Sequence, residues 1–253
     1  MTPMQATASQ DPAAPASTLF MGIEFTVDTP ADWRARILSF GRGAFAYVVT
    51  PNVDHVVQLN KHPELRGIYT GADWLMCDSR ILNRLARMSG LDLRPYPGSD
   101  LTRDLLEDAG ARGKEIAVIG PDDAAFADLA ALYPDLALTH IAAPMMTRGS
   151  AEWQATLEAA EAARFDILLI CISFPKQEYF AADLKTRGTA RGIALCVGAS
   201  VDFLTGRQNR APRFMRDNGL EWLHRLGSNP RRMFRRYVID GPRIFRLYLK
   251  QKP

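Results

Sequence analysis

Short apolar runs rich in β-branched residues alternate along the chain with longer Ala- and Leu-rich stretches of helical period. Residues 46–50, 115–120, 167–173 and 193–198 are runs of the first kind. They are short and bounded by turn-forming residues, which predicts buried strands. Helices are expected from about Val53 and about Asp123, and over 81–88, 151–164 and 177–187. Strand, loop and helix in repetition predict an α/β fold: a Rossmann-like, mostly parallel sheet with helices on both faces. No internal repeat is found. Residues 1–17 mix Ala, Pro, Thr, Ser and Gln without apolar period, and they lack the basic and apolar segments of a secretory signal. They read as a disordered tail, followed by an α/β core over 18–206 and a helical appendage over 207–253.

In such sheets ligands bind beyond the carboxyl ends of the strands, so polar residues just after the apolar runs mark a site. They are present at four places. Thr50-Pro51-Asn52 follows the first run, and Gly120-Pro121-Asp122-Asp123 the second. Ser173-Phe174-Pro175-Lys176-Gln177-Glu178 follows the third, and Gly198-Ala199-Ser200-Val201-Asp202 the fourth. The pattern predicts four strand ends converging on one cleft, although each group alone also serves as a helix cap or tight turn.

Composition narrows the class. An apolar fraction of 47% with 23% charged residues is that of an ordinary globular protein. No apolar stretch approaches the roughly 18 to 20 residues that span a bilayer. Cys77, Cys171 and Cys196 stand far apart among apolar residues and are expected to be reduced and buried. The four histidines show no metal-ligand spacing, so no metal and no cofactor is expected. Charge is unevenly placed: residues 207–253 hold 13 basic against 3 acidic residues, a net of +10, while the remainder holds 18 against 25, a net of −7. A polyanionic partner for the C-terminal segment follows. Its arginines interleave with aromatics, as suits an amphipathic helix at an anionic membrane surface. No nucleic-acid module accompanies it, so no nucleic-acid partner is expected. The exposed aromatics suit a subunit interface as well as a bilayer, which leaves a homo-oligomer open.

Candidate chemistry collects at the strand ends. The Gly120 loop lacks the GxGxxG and GxxxxGK[ST] patterns, yet its helix-start amides suit a phosphate or the hydroxyls of a nucleotide. Asp78 follows an apolar run and precedes the 81–88 helix, a place for either an N-cap or a general base of raised pKa. Pro97-Gly98-Ser99-Asp100-Leu101 reads as a turn with an acidic cap before a helix. Lys176, Gln177 and Glu178 offer donors and acceptors at a helix start, suited to sugar hydroxyls and phosphate.

Taken in order, these motifs resemble the WecB/TagA/CpsF family of bacterial glycosyltransferases, glycosyltransferase family 26, over about residues 22–237. The marks are Thr50-x-Asn52, Asp78, Pro97-Gly98-Ser99-Asp100-Leu101, Phe174-Pro175-Lys176-Gln177-Glu178 and Val197-Gly198-Ala199 leading to Asp202-x-x-x-Gly206. The most specific are Arg210-Ala211-Pro212, Gly219-Leu220-Glu221-Trp222-x-x-Arg225-Leu226 and Pro230-Arg231-Arg232-x-x-Arg235-Arg236-Tyr237. Three positions depart from the family pattern: Ser79 stands where the family usually has Gly, Ser173 where it has Gly, and Pro95 where it has Arg, with Arg94 the nearest arginine.

The resemblance implies a metal-independent, inverting transfer of a sugar from a UDP-sugar donor to a polyprenyl-diphosphate-linked glycan acceptor, in cell-surface or exopolysaccharide synthesis. It implies Asp78 as the base, Thr50 and Asn52 as sugar-contacting residues and Gln177 as the family's strand-end Gln, with Gly98, Asp100 and Glu178 in its motifs, while Gly120 stands as a candidate on its helix-start amides alone. It also implies that Arg210, Arg225, Arg232 and Arg235 meet diphosphate as the appendage closes at the cytoplasmic face of the inner membrane. On this reading a chain cut before about Gln208 is expected to stay folded but lose transfer. A nucleotide-dependent oxidoreductase or epimerase would need the missing cofactor fingerprint. A non-catalytic membrane- or RNA-binding adaptor predicts that Asp78→Asn is harmless.

Overall fold

The central strands are apolar on both faces, as they must be when helices cover a parallel sheet on two sides. In the computed structural model, which describes residues 15–251, all residues of the two innermost strands, Ile167–Ile170 and Gly192–Cys196, are buried. The expected tail lies outside the described residues up to 14, and the chain enters a strand at Ser17.

An antiparallel hairpin, β1 (Ser17–Phe20) and β2 (Ile23–Thr26), opens the fold. The chain then runs α1 (Pro30–Ser39), β3 (Phe45–Val49), α2 (Val53–Lys61), a short 3-10 turn, α3 (Arg66–Thr70), β4 (Trp74–Leu75), α4 (Arg80–Met88) and α5 (Gly98–Leu106). It continues as β5 (Glu115–Ile119), α6 (Asp123–Leu132), β6 (Ala137–Ile141), α7 (Ala151–Ala162), β7 (Ile167–Ile170), α8 (Lys176–Arg187), β8 (Gly192–Cys196) and α9 (Ser200–Leu204). The strand order is β4-β3-β8-β7-β5-β6, every pair parallel, which is the expected Rossmann-like sheet.

Register sets the site. Val49 pairs with Cys196, Cys196 with Ile170 and Ile170 with Ile119. Thr50, Val197, Cys171 and Gly120 therefore leave the sheet side by side. Alternation along each strand sends Tyr47, Ile119, Ile170 and Cys196 into one core and Val48, Val118, Leu169 and Leu195 into the other. After β5 the chain passes through α6 outward to β6, whereas after β7 it returns through α8 to β8. The crevice between the ends of β5 and β7 is thus where the connections reverse direction, the place such sheets leave open for a ligand.

The basic C-terminal segment is broken into short pieces: α10 (Arg213–Asp217), α11 (Glu221–Ser228), α12 (Pro230–Phe234), a π-helical turn (Arg235–Asp240) and α13 (Arg243–Gln251). Its apolar residues do not share one exposed face. Ile244 and Tyr248 are buried in the core beside Phe20, and the Ser89 hydroxyl donates to Tyr248 Oη at 3.0 Å. Lys61 on α2 pairs with the buried Asp240, which ties α13 down further. Phe214, Leu223, Phe234, Ile239, Phe245 and Leu249 remain exposed. A cut before Gln208 therefore uncovers part of the core as well as removing the arginines, which revises the expectation of an undisturbed folded remainder.

Candidate active site

Between the core and the appendage lies a cavity of about 360 Å³. The core contributes Asn52, Asp78, Ser79, Arg80 and Pro97, and the appendage contributes Arg216, Glu221, Trp222, Arg225, Arg236 and Tyr237. Ile81, Ile244 and Phe245 make one wall apolar. Four arginines, Arg80 from the core and Arg216, Arg225 and Arg236 from the appendage, thus line a cavity that also carries the carboxyls of Asp54, Asp78 and Glu221.

Local structure explains the state of Asp78. Ser79, not Asp78, caps α4 by accepting from Leu82 N, so the Asp78 side chain is free of the capping role. Its backbone N–H donates to Pro51 O at 2.9 Å, which fixes it beside the end of β3. The carboxyl is half-buried and enclosed by protein except toward the cavity. Burial pushes its pKa from 3.8 up to about 7. Arg225 opposes that rise, Glu221 adds to it, and the Asn52 side chain and Gly98 amide, as donors, favour the charged form. A carboxylate held near neutrality at a cavity wall is equipped to accept a proton.

Asn52 serves two neighbours at once: its Oδ1 caps α2 by accepting from Asp54 N at 3.0 Å, while its side chain faces Asp78. Thr50 lies below, buried, with its hydroxyl donated to Cys196 O at 2.8 Å. It ties the end of β3 to that of β8 and does not line the cavity. Gly98 opens α5 where an added Cβ would stand 3.5 Å from Thr50 Oγ1 and 3.6 Å from Val197 Cα. Gln177 is buried, accepting from Gly198 N at 2.9 Å and donating to Glu178 Oε1 at 2.8 Å; Glu178 is fully buried. Thr50, Gln177 and Glu178 form a floor behind the cavity.

The strand ends open into two clefts rather than the single one expected. The second, about 410 Å³, sits at the reversal between β5 and β7 and is lined by Gly120, Asp122, Cys171, Gly198, Asp202, Arg207 and Gln208. Gly120 is required there: its φ is +114°, and an added Cβ would stand 2.6 Å from Cys171 O. Asp122 caps α6, and Gln208 Nε2 donates to Asp202 at 3.1 Å.

A model of the Glycosyl transferase WecG/TagA/CpsF family matches residues 18–253, nearly the whole chain. The chain belongs to this family.

The basic residues expected in a glycosyl transferase of this family are dispersed. Arg225 lines the cavity, with its guanidinium 4.8 Å from the Phe203 ring centre. Arg210 stands at the root of the appendage, donating to Ser99 Oγ at 3.0 Å and to Asp100 Oδ1 at 2.5 Å. Asp100, at the third position of α5, does not cap the helix, which Pro97 precedes without a side-chain cap. It holds Arg103 at 3.2 Å and Arg216 at 3.9 Å as well, so it latches the appendage to the core. Arg235 lines an adjoining open groove with Lys61, His62 and Arg243, and Asp54 and Arg236 line both this groove and the cavity. The side chain of Arg232 lies outside the described residues.

Arg80, Arg216 and Arg236 are cavity residues that sequence reasoning passed over. Arg236 pairs with Asp54 at 3.1 Å, and burial together with Arg236 holds His55 behind it near a pKa of about 3, hence neutral. Arg236 follows Arg235 in the motif, and only the π-helical turn decides which of the two faces inward. Cys77 and Cys196 are buried and Cys171 is half-buried, all three free. Among the described residues no group of His, Cys, Asp and Glu is arranged to hold a metal ion, and no helix is long and apolar enough to cross a membrane.

Proposed function

We propose that the protein transfers a sugar, with inversion, from a UDP-sugar to a hydroxyl of a glycan carried on a polyprenyl diphosphate, at an anionic membrane surface. The carrying observation is the cavity that brings Asp78, a carboxyl held near neutrality, together with Arg80 of the core and Arg216, Arg225 and Arg236 of the appendage. Asp78 takes the proton of the acceptor hydroxyl as its oxygen attacks the anomeric carbon. The bond from that carbon to the UDP oxygen breaks, and UDP leaves with the electron pair. Positive charge on the arginine wall stabilises the negative charge that builds on diphosphate.

The cleft at the reversal of the sheet suits the nucleoside, because Asp122 and Asp202 are acceptors for ribose hydroxyls and Gly120 lets a ligand approach backbone. Gly98 and Gly198 lie between the two clefts, where a donor sugar would pass toward Asp78. Phe245, Ile244 and Trp222 give the arginine wall an apolar rim that suits a lipid chain. The test is incubation with a panel of UDP-sugars and a short polyprenyl-diphosphate-linked sugar in detergent, reading UDP release and the anomeric configuration of the product. Release of UDP with an inverted linkage is expected from at least one donor; retention of configuration, or transfer from no donor, overturns the reading.

A further inference from the structure

Among the described residues, Glu178 is a fully buried carboxyl with one oxygen left without a partner. It sits at the start of α8, and the oxygen without a hydrogen bond is Oε2. An unpaired buried carboxylate is among the most expensive features a core can hold. The titratable groups that face it are Tyr47 on β3, Tyr69 on α3 and Cys196 on β8, and none of them is a cation. Burial raises its pKa from 4.5 to about 7, so it carries a proton across the acidic range. Its one side-chain partner is Gln177, whose amide is held at both ends: Nε2 by Glu178 Oε1 at 2.8 Å, Oε1 by the Gly198 N–H at 2.9 Å. Gly198 lines the nucleoside cleft, and the adjoining Val197 Cα touches the space beside Gly98, whose amide faces Asp78.

We infer that Glu178 is a positioning residue for transfer: it orients the Gln177 amide, which clamps the Gly198 amide and so fixes the loop after β8 that lines the nucleoside cleft and packs beside Gly98. This rests on the transfer reading above, but the clamp itself is testable apart from it. Glu178→Gln keeps the buried group neutral and similar in shape, Glu178→Ala removes it, and Gln177→Ala removes the clamp. The measurements are amide hydrogen exchange over residues 197–206 and kcat/KM for transfer, each at pH 6 and pH 8.5. Glu178→Ala and Gln177→Ala are expected to speed Gly198 exchange and to lower kcat/KM about tenfold, the effect of one lost hydrogen bond in the reacting frame. Glu178→Gln, whose amide oxygen can still accept from Gln177 Nε2, is expected to match wild type at pH 6 and to exchange Gly198 no more slowly than wild type at pH 8.5, where an ionised carboxylate is the stronger acceptor. Gly198 exchange unchanged in Gln177→Ala, or Glu178→Gln as impaired as Glu178→Ala, overturns the proposal. Absence of transfer in the wild type would sink the enzymatic reading and leave the exchange result to decide the clamp. Should Glu178→Ala fail to fold, Glu178→Gln and Gln177→Ala carry the comparison.

Discussion

Replacing Asp78 by Asn separates the requirements of the reaction from those of the fold. A carboxyl held at about 7 rather than 3.8 costs the folded state roughly 4 kcal/mol once ionised, at about 1.36 kcal/mol per tenfold change in proton affinity. The contacts from Asn52 and Gly98 to the carboxylate are already contained in that net figure, so the gain of the neutral variant is about 4 kcal/mol. The sign with pH follows from where the proton sits. The unfolded chain releases it near 3.8, and the folded one keeps it to about 7. Wild type therefore loses stability relative to Asp78→Asn as pH rises between those values, and the gap is constant above them. At pH 8 the variant is expected to melt about 8 to 16 °C higher than wild type. At pH 5 its relative stability is lower by roughly 2 to 3 kcal/mol, which leaves an advantage of about 1 to 2 kcal/mol. Urea unfolding of both proteins at the two pH values measures this directly. A stability difference that does not change between pH 5 and pH 8 would refute the assignment of a raised pKa to Asp78.

Arg216→Ala and Arg236→Ala are each expected to lower kcat about tenfold with unchanged circular dichroism, as removal of one charge-assisted contact to the departing diphosphate predicts. Asp100→Asn loosens the latch on Arg210 and Arg216, so protease should cut residues 207–220 faster in the variant while the sheet stays intact. Gly120→Ala places a Cβ against Cys171 O at a backbone angle that L-residues rarely adopt, and a loss of about 3 kcal/mol or more in urea unfolding is expected. A chain ending at Asp240 lacks Ile244 and Tyr248 and should lose about 4 kcal/mol, from two buried side chains of about 2 kcal/mol each.

The sheet was legible because its strands are apolar on both faces and end in turn residues. Expected strand starts fall within one residue of those observed for β3, β5, β7 and β8. The two edge strands were not: β4, only Trp74 and Leu75, leaves no periodic signal, and β6, Ala137–Ile141, is partly exposed rather than apolar on both faces, so their places depend on pairing with β3 and β5. Asp78 stood out as a polar residue after an apolar run, but its freedom from capping depended on the Ser79 hydroxyl. The C-terminal segment was harder. Its arginines and aromatics have helical spacing, yet Pro230, Gly241 and Pro242 break it into short pieces, and tertiary packing rather than period turns Ile244 and Tyr248 inward. The same breaks put Arg216 and Arg236 in the cavity and Arg210 and Arg235 elsewhere. Gln177 and Glu178 were visible as a polar pair after a strand. That both point into the floor follows from the packing of α8 on β3 and β8, which no local pattern encodes.

The central claim is that Asp78 takes the acceptor proton, and single-turnover transfer by wild type and Asp78→Asn, with UDP binding measured in parallel, tests it most directly. The account predicts that the variant binds UDP as wild type does, transfers about 10²- to 10⁴-fold more slowly, and lacks the loss of rate that wild type shows as pH falls through about 7. Transfer by Asp78→Asn at the wild-type rate would contradict it.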